Sequence, residues 1–180
     1  MKSLPPIGID GDKRPVVATE KVAPDSVTDP SVQACLAYWH ECRGEAFAPR
    51  WKDFHLHDLP ARTLPYVLVL DLVEEPAGFV YRYWGSGHTL YHGRDYTGLR
   101  VADMTDAWSA ALLADQYREV VEARGPIVFV NSYDGVDEPL YSLRMPLSND
   151  GETVSQLFSY VGRRPSSEAM RRVYAFDRGG

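Results

Sequence analysis

Residues 81–98 read YRYWGSGHTLYHGRDYTG (Tyr81 to Gly98). Tyr81 to Trp84 is an aromatic stretch of strand character. Gly85-Ser86-Gly87 releases the chain from that strand, since glycine tolerates a sharp change of direction. Residues 87–92 form a single helical turn carrying His88 and His92. Gly93-Arg94-Asp95 stops it. No βαβ alternation runs through the chain around this stretch, so the surrounding elements decide the fold.

Before this stretch, Tyr66 to Val73 is β-branched and apolar and reads as a buried strand. Glu74-Glu75-Pro76-Ala77-Gly78 is a turn, and Phe79 to Trp84 alternates. Phe79, Tyr81 and Tyr83 fall on one face; Val80, Arg82 and Trp84 fall on the other. The two strands make a hairpin. After the stretch come a short helical piece at 99–104 and a longer helix to about Arg124, capped by Thr105 or Asp106. Its stripe is Leu113, Tyr117, Val120 and Val121, and Gly125-Pro126 ends it.

Three strands follow. Ile127 to Tyr133 places Ile127, Phe129, Asn131 and Tyr133 on one face. Leu140 to Leu147 aligns Tyr141, Leu143, Met145 and Leu147. Ser148-Asn149-Asp150-Gly151 is a hairpin turn into Thr153 to Val161. The order β-β-α-α-α-β-β-β predicts an α+β domain, a five-stranded antiparallel sheet with helices packed on one face.

Upstream, Asp29-Pro30 is a helix start, with Asp29 as N-cap. Val32, Leu36 and Trp39 form the apolar stripe of a leading helix over 30–43, and Gly44 ends it. Residues 1–28 hold Pro5, Pro6, Pro15 and Pro24 without periodicity and read as a mobile tail. The domain spans 29–165. A C-terminal extension over 166–180 has helical character at 166–176.

A chain of 180 residues, 44% of them hydrophobic, builds one domain with a real core. A net charge of −6 argues against a nucleic-acid surface. The basic pairs Arg163-Arg164 and Arg171-Arg172 read as solvated surface. Cys35 and Cys42 are seven apart on one helix, a separation of roughly 10 Å, against the about 7 Å a disulfide spans. Unpaired cysteines fit a reducing compartment. No apolar leader and no long apolar run occurs, so the expectation is a cytoplasmic protein with no membrane partner.

His88 and His92 stand at i and i+4 and share a helical face. That spacing suits a metal or a haem, but no third ligand lies nearby; His55 and His57 form a separate pair. Hydrogen-bonded or surface histidines are the simpler reading. The aromatic face is more simply core, yet buried tyrosine hydroxyls need partners. Their convergence on one cavity suits a small polar-tipped ligand. The candidate ligand-binding set is Tyr81, Tyr83, His88, Tyr91, His92 and Phe129. Arg82, Arg94 and Arg144 are anion-binding candidates. Arg82 and Arg144 alternate with the core face, so the expectation for both is an outward salt bridge. Gly85-x-Gly87 lacks the third glycine of a dinucleotide fingerprint, with Leu90 in its place. No catalytic residue and no metal ligand is assigned.

The chain resembles a PAS domain. It is similar to a family of small bacterial PAS-like proteins in which the sensor fold fills most of the chain. The residues that carry the likeness are Tyr38-Trp39, Pro49-Arg50, Leu64-Pro65, Leu70-Asp71, Tyr81-Arg82, Gly85, the run Gly93-Arg94-Asp95-Tyr96-Thr97-Gly98, and Leu143 to Leu147. The likeness covers about 33 to 163. Tyr83-Trp84-Gly85-Ser86 departs from the family's small or aliphatic residues and its Thr after the glycine, so the usual pocket size does not carry over. The helix over 106–124 has no histidine for a haem, and neither cysteine lies where a flavin photoreceptor needs one.

The resemblance implies a non-enzymatic sensory or regulatory module in bacterial signal transduction. Its ligand would sit between the sheet and the short helices, shifting the 87–92 helix or the leading helix. Output would pass in trans to a signalling partner or through a homodimer. The residues name no cofactor. Two alternatives stand beside this reading. One is a pure association module using Val32, Leu36 and Trp39. The other is a metal- or haem-binding protein or enzyme using His88 and His92.

Overall fold

The computed structural model describes residues 16–74, 77–105, 107–133 and 136–162. The strands are β1 (Val16–Val22), β2 (Val67–Glu74), β3 (Ala77–Trp84), β4 (Ile127–Tyr133), β5 (Val136–Leu147) and β6 (Gln156–Gly162). The α-helices are α1 (Pro30–Arg43), α2 (Ser86–His92) and α3 (Ala107–Ala123), and a 3₁₀ turn at Val101–Asp103 precedes α3. The sheet is antiparallel throughout, in the order β1-β4-β5-β6-β2-β3.

The α+β class and the PAS-like sheet are present, with one strand more than expected. The extra strand, β1, lies in the stretch read as a tail. Between Pro15 and Pro24 the run Val-Val-Ala-Thr-Glu-Lys-Val has strand composition. It pairs with β4 from Val16↔Tyr133 to Val22↔Val128. The prolines bracket the strand and do not interrupt it. The residues before 16, and the helix expected at 166–176, lie outside the described residues.

Helix α1 begins as expected. The Asp29 carboxylate accepts from Ser31 N at 2.8 Å and Val32 N at 3.0 Å, satisfying two amides that have no partner within the helix. Its apolar stripe faces the protein's own sheet, not a partner. Val32, Leu36 and Trp39 are buried with Val67, Val69, Leu143, Met145 and Phe158. The Trp39 indole donates to the Pro146 carbonyl at 2.8 Å. Helices therefore cover both faces of the sheet, α1 on one and α3 on the other. A second core of Leu68, Leu70, Phe79, Tyr81, Trp84, Tyr117, Val120, Phe129 and Leu157 lies on the α3 face.

Strand β3 does not keep its alternation. Leu70 pairs with Tyr81 but Val69 pairs with Tyr83, so Arg82 is an extra residue on β3. Such a bulge opposes two residues to one and changes the face of everything beyond it. Phe79 and Tyr81 face α3, and after the bulge so does Trp84. Tyr83 turns to the α1 side.

Glycines 85 and 87 have a reason other than the one read from sequence. Gly85 has an ordinary φ of −63°, so no special backbone is involved. A Cβ there would meet the Pro65 carbonyl oxygen at 2.5 Å, and one at Gly87 would meet the Tyr66 ring at 2.2 Å. The strand-to-helix exit lies flat against residues 64–66, and only glycine fits.

Candidate functional site

The α3 face of the sheet holds two neighbouring constellations. The first gathers around Trp84. Its ring centroid lies 4.8 Å from Tyr81, 5.0 Å from Tyr96, 5.3 Å from His88 and 5.2 Å from His92. The i, i+4 spacing on α2 thus places both histidines on one face, with ring centroids 6.3 Å apart. His88 is buried and His92 half-buried. Among the described residues, no three His, Cys, Asp or Glu side chains gather as a metal site would require.

Tyr81 links this box to the second constellation. Its ring is fully buried, and its hydroxyl donates to the Met104 sulfur at 3.3 Å. Burial holds the phenol pKa well above its ordinary value, and the Tyr117 hydroxyl beside it adds to the effect; the Arg144 charge opposes it. The Tyr117 hydroxyl is itself buried without a hydrogen bond of proper geometry.

The second constellation is polar and sits beneath α3. Arg144, in β5, is 1% exposed. Its Nε and Nη2 donate to Gln116 Oε1 at 3.1 and 2.6 Å, and its Nη1 donates to Ser159 Oγ at 3.1 Å. The guanidinium lies 4.3 Å from the Tyr117 ring centre and 5.7 Å from that of Phe129. Gln116 Nε2 in turn donates to Thr19 Oγ1 at 3.0 Å and Asn131 Oδ1 at 3.1 Å. Thr19 Oγ1 donates to Asn131 Oδ1 at 2.8 Å. One hydrogen-bonded seam thus runs from β1, through β4 and α3, to β5 and β6. At its β1 end an open groove of about 1040 Å³ is lined by Thr19, Lys21, Gln116, Glu119 and Phe129, among others.

The predicted set is therefore divided. Tyr81, His88 and His92 meet around Trp84, and Phe129 belongs with Arg144. Tyr83 stands apart on the other face, its hydroxyl donating to the Leu64 carbonyl at 3.4 Å. Tyr91 lies in α2, but its side chain is outside the described ones. Arg82 behaves as expected, exposed and bonded to Asp71 at 2.8 Å. Arg144 does not. Its expected outward position assumed one covered face, whereas α1 and α3 bury both.

A family model described as a PAS domain matches residues 27–171. The chain belongs to the PAS domain family. No curated protein and no solved structure gives a significant match. The matched span of this PAS domain starts just before α1 and takes in β2 to β6, so β1 is a strand added from outside it. No helix among the described residues is long and apolar enough to cross a membrane.

Sequence reasoning missed Gln116, Asn131, Ser159 and Thr19. A signal for part of the set was available. Ser142, Arg144 and Ser159 alternate with apolar residues in strands preceded by two helices with apolar stripes, α1 and α3. Gln116 lies three residues from Leu113 and next to Tyr117, on the helix stripe that faces the sheet.

Proposed function

We propose that this PAS domain is a non-enzymatic sensory module that binds a small molecule between the sheet and helix α3. The observation that carries the reading is the buried Gln116–Arg144–Ser159 cluster, walled by Tyr117, Phe129 and Tyr81. A few convergent polar groups inside an apolar, aromatic enclosure are what small-molecule sites are made of. A core needing only stability is better served by apolar side chains than by a buried charge.

The seam from Arg144 to Thr19 gives ligand occupancy a route to β1 and thence to a partner acting in trans. The two free thiols fit a cytoplasmic setting. Association through the α1 stripe has less support, because Val32, Leu36 and Trp39 are buried in the protein's own core.

Thermal melts of the full chain against a library of charged and neutral small molecules test the reading. The expected result is a set of related compounds that raise Tm and shift NMR signals of residues on the α3 face. A library in which no compound moves either observable would overturn it.

A further inference from the structure

We propose that the ligand of this site is a small monocarboxylate with a flat apolar body. Its carboxylate binds the edge of Arg144 now covered by Gln116. The inference rests on the sensory reading above and adds the chemical class.

A guanidinium offers five N–H donors. The bonds from Arg144 account for three of them, and all go to neutral oxygens. Among the described residues no carboxylate pairs with it, and no other lysine or arginine is buried. A lone charge in a low-dielectric interior is costly unless compensated. The Tyr117 ring face offsets part of that cost. A bound anion would remove more.

The geometry selects the anion. Gln116 Oε1 sits on the Nε–Nη2 edge, where two parallel N–H bonds match the two oxygens of a carboxylate. A neutral amide oxygen is the stand-in. One guanidinium balances one negative charge; a phosphate dianion would bring a second with no further buried arginine or lysine to meet it. Leu112 and Phe129, which line the groove beside Gln116, give the rest of the molecule an apolar surface.

Access runs through the groove between β1 and α3, because Gln116 and Phe129 line it and also flank the guanidinium. The entering carboxylate passes Glu20, Asp115, Glu119 and Glu122, with Lys21 and Arg118 as the cations of the same rim. A carboxylate on the edge displaces Gln116. Gln116 then gives up its bonds to Thr19 and Asn131, and β1 loses a side-chain tie to the domain. Occupancy is thereby coupled to β1, the one strand among the described residues that lies outside the matched PAS span.

The test is thermal melting of the full chain with benzoate and phenylacetate, against the neutral isosteres benzamide and phenylacetamide and the dianion phenyl phosphate. The carboxylates should raise Tm by roughly 5–10 °C at a hundredfold excess over Kd, and the amides should not. Arg144→Met should abolish the shift. Gln116→Glu, which gives Arg144 a carboxylate from the chain itself, should raise the starting Tm and also abolish the shift. That variant carries the test should Arg144→Met fail to fold. Equal shifts with benzoate and benzamide, or a benzoate shift retained in Gln116→Glu, overturn the inference. If neutral compounds or phenyl phosphate shift Tm and the carboxylates do not, the monocarboxylate assignment fails and the sensory reading stands. If neither this panel nor the wider library shifts Tm, both fail.

Discussion

The amide oxygen of Gln116 accepts from both Nε and Nη2 of Arg144, at 3.1 and 2.6 Å. One neutral side chain from α3 thus covers an edge of the only arginine buried among the described residues. Gln116→Ala leaves that edge bare and removes the amide bonds to Thr19 and Asn131, whose side chains keep only the bond to each other. The expected loss is about 2–4 kcal/mol, the range for stripping the partners of a buried charge. Urea unfolding at neutral pH measures it. A loss below about 0.5 kcal/mol, the scale of an ordinary surface change, would mean that water already reaches Arg144.

Gly85→Ala is expected to destabilise the domain by about 1–3 kcal/mol, the usual cost of overpacking. The added methyl would meet the Pro65 carbonyl oxygen at 2.5 Å and the Leu64 carbonyl oxygen at 2.8 Å. Both are backbone atoms and have no rotamer by which to retreat. Guanidinium titration of the variant checks this. An unchanged midpoint would show that the 64–66 segment moves freely.

The turn between β5 and β6 should respond to acid. The Asp150 carboxylate accepts from the amides of Glu152 and Thr153, both at 2.8 Å, and from the Thr153 hydroxyl at 2.7 Å. The Thr153 amide, first among these bonds, holds its pKa well below the ordinary 3.8. A depressed folded-state pKa means that the unfolded chain binds the proton first, so stability falls as pH falls. The Tm difference between wild type and Asp150→Asn should be flat from pH 8 to pH 5, narrow below 3.8, and vanish only at lower pH, once Asp150 is protonated in the fold. A difference already shrinking at pH 6 would contradict this.

Both cysteines should react slowly in the native state. Burial pushes the Cys35 thiol up to about 12, and burial also raises that of Cys42. The thiolate is the reactive form, so little is available at pH 8. Alkylation with iodoacetamide, followed by mass spectrometry, should label neither quickly in the fold and both in urea. Cys35 should be the slower. Rapid native labelling of Cys35 would contradict its burial on the sheet-facing side of α1.

Much of the domain was legible in the residues because local chemistry and global packing agree over long stretches. Asp29-Pro30 caps α1 as read, Gly93 ends α2 as read, and the hairpins at both ends of the helical segment place the strands. The misses have physical causes. The bulge at Arg82 depends on pairing across strands, which no single-strand alternation reveals, so Tyr83 and Trp84 were assigned to each other's faces. Strand β1 is too short to stand alone and exists through β4, so its prolines outweighed its valines. Arg144 was read as outward because alternation shows which residues share a face and not how many faces are covered. The histidines of α2 were found easily since two such residues four apart are conspicuous. Gln116 and Ser159 were not, because neutral polar residues acquire meaning only from what they touch.

Helices on both sides of the sheet leave the central strand no neutral ground. Every residue of β6, from Gln156 to Gly162, is buried. In a sheet with one wet face, every second position is open to drift, and a family's history shows as a period of two. Here that period should be missing from β6. Phe158 and Tyr160 are held by the α1 core, Leu157 by the α3 core and Ser159 by the Arg144 cluster, so neighbouring residues are constrained by unrelated requirements. Side chains are therefore freest to change in α3 and β1, where an exchange disturbs only one of the two cores.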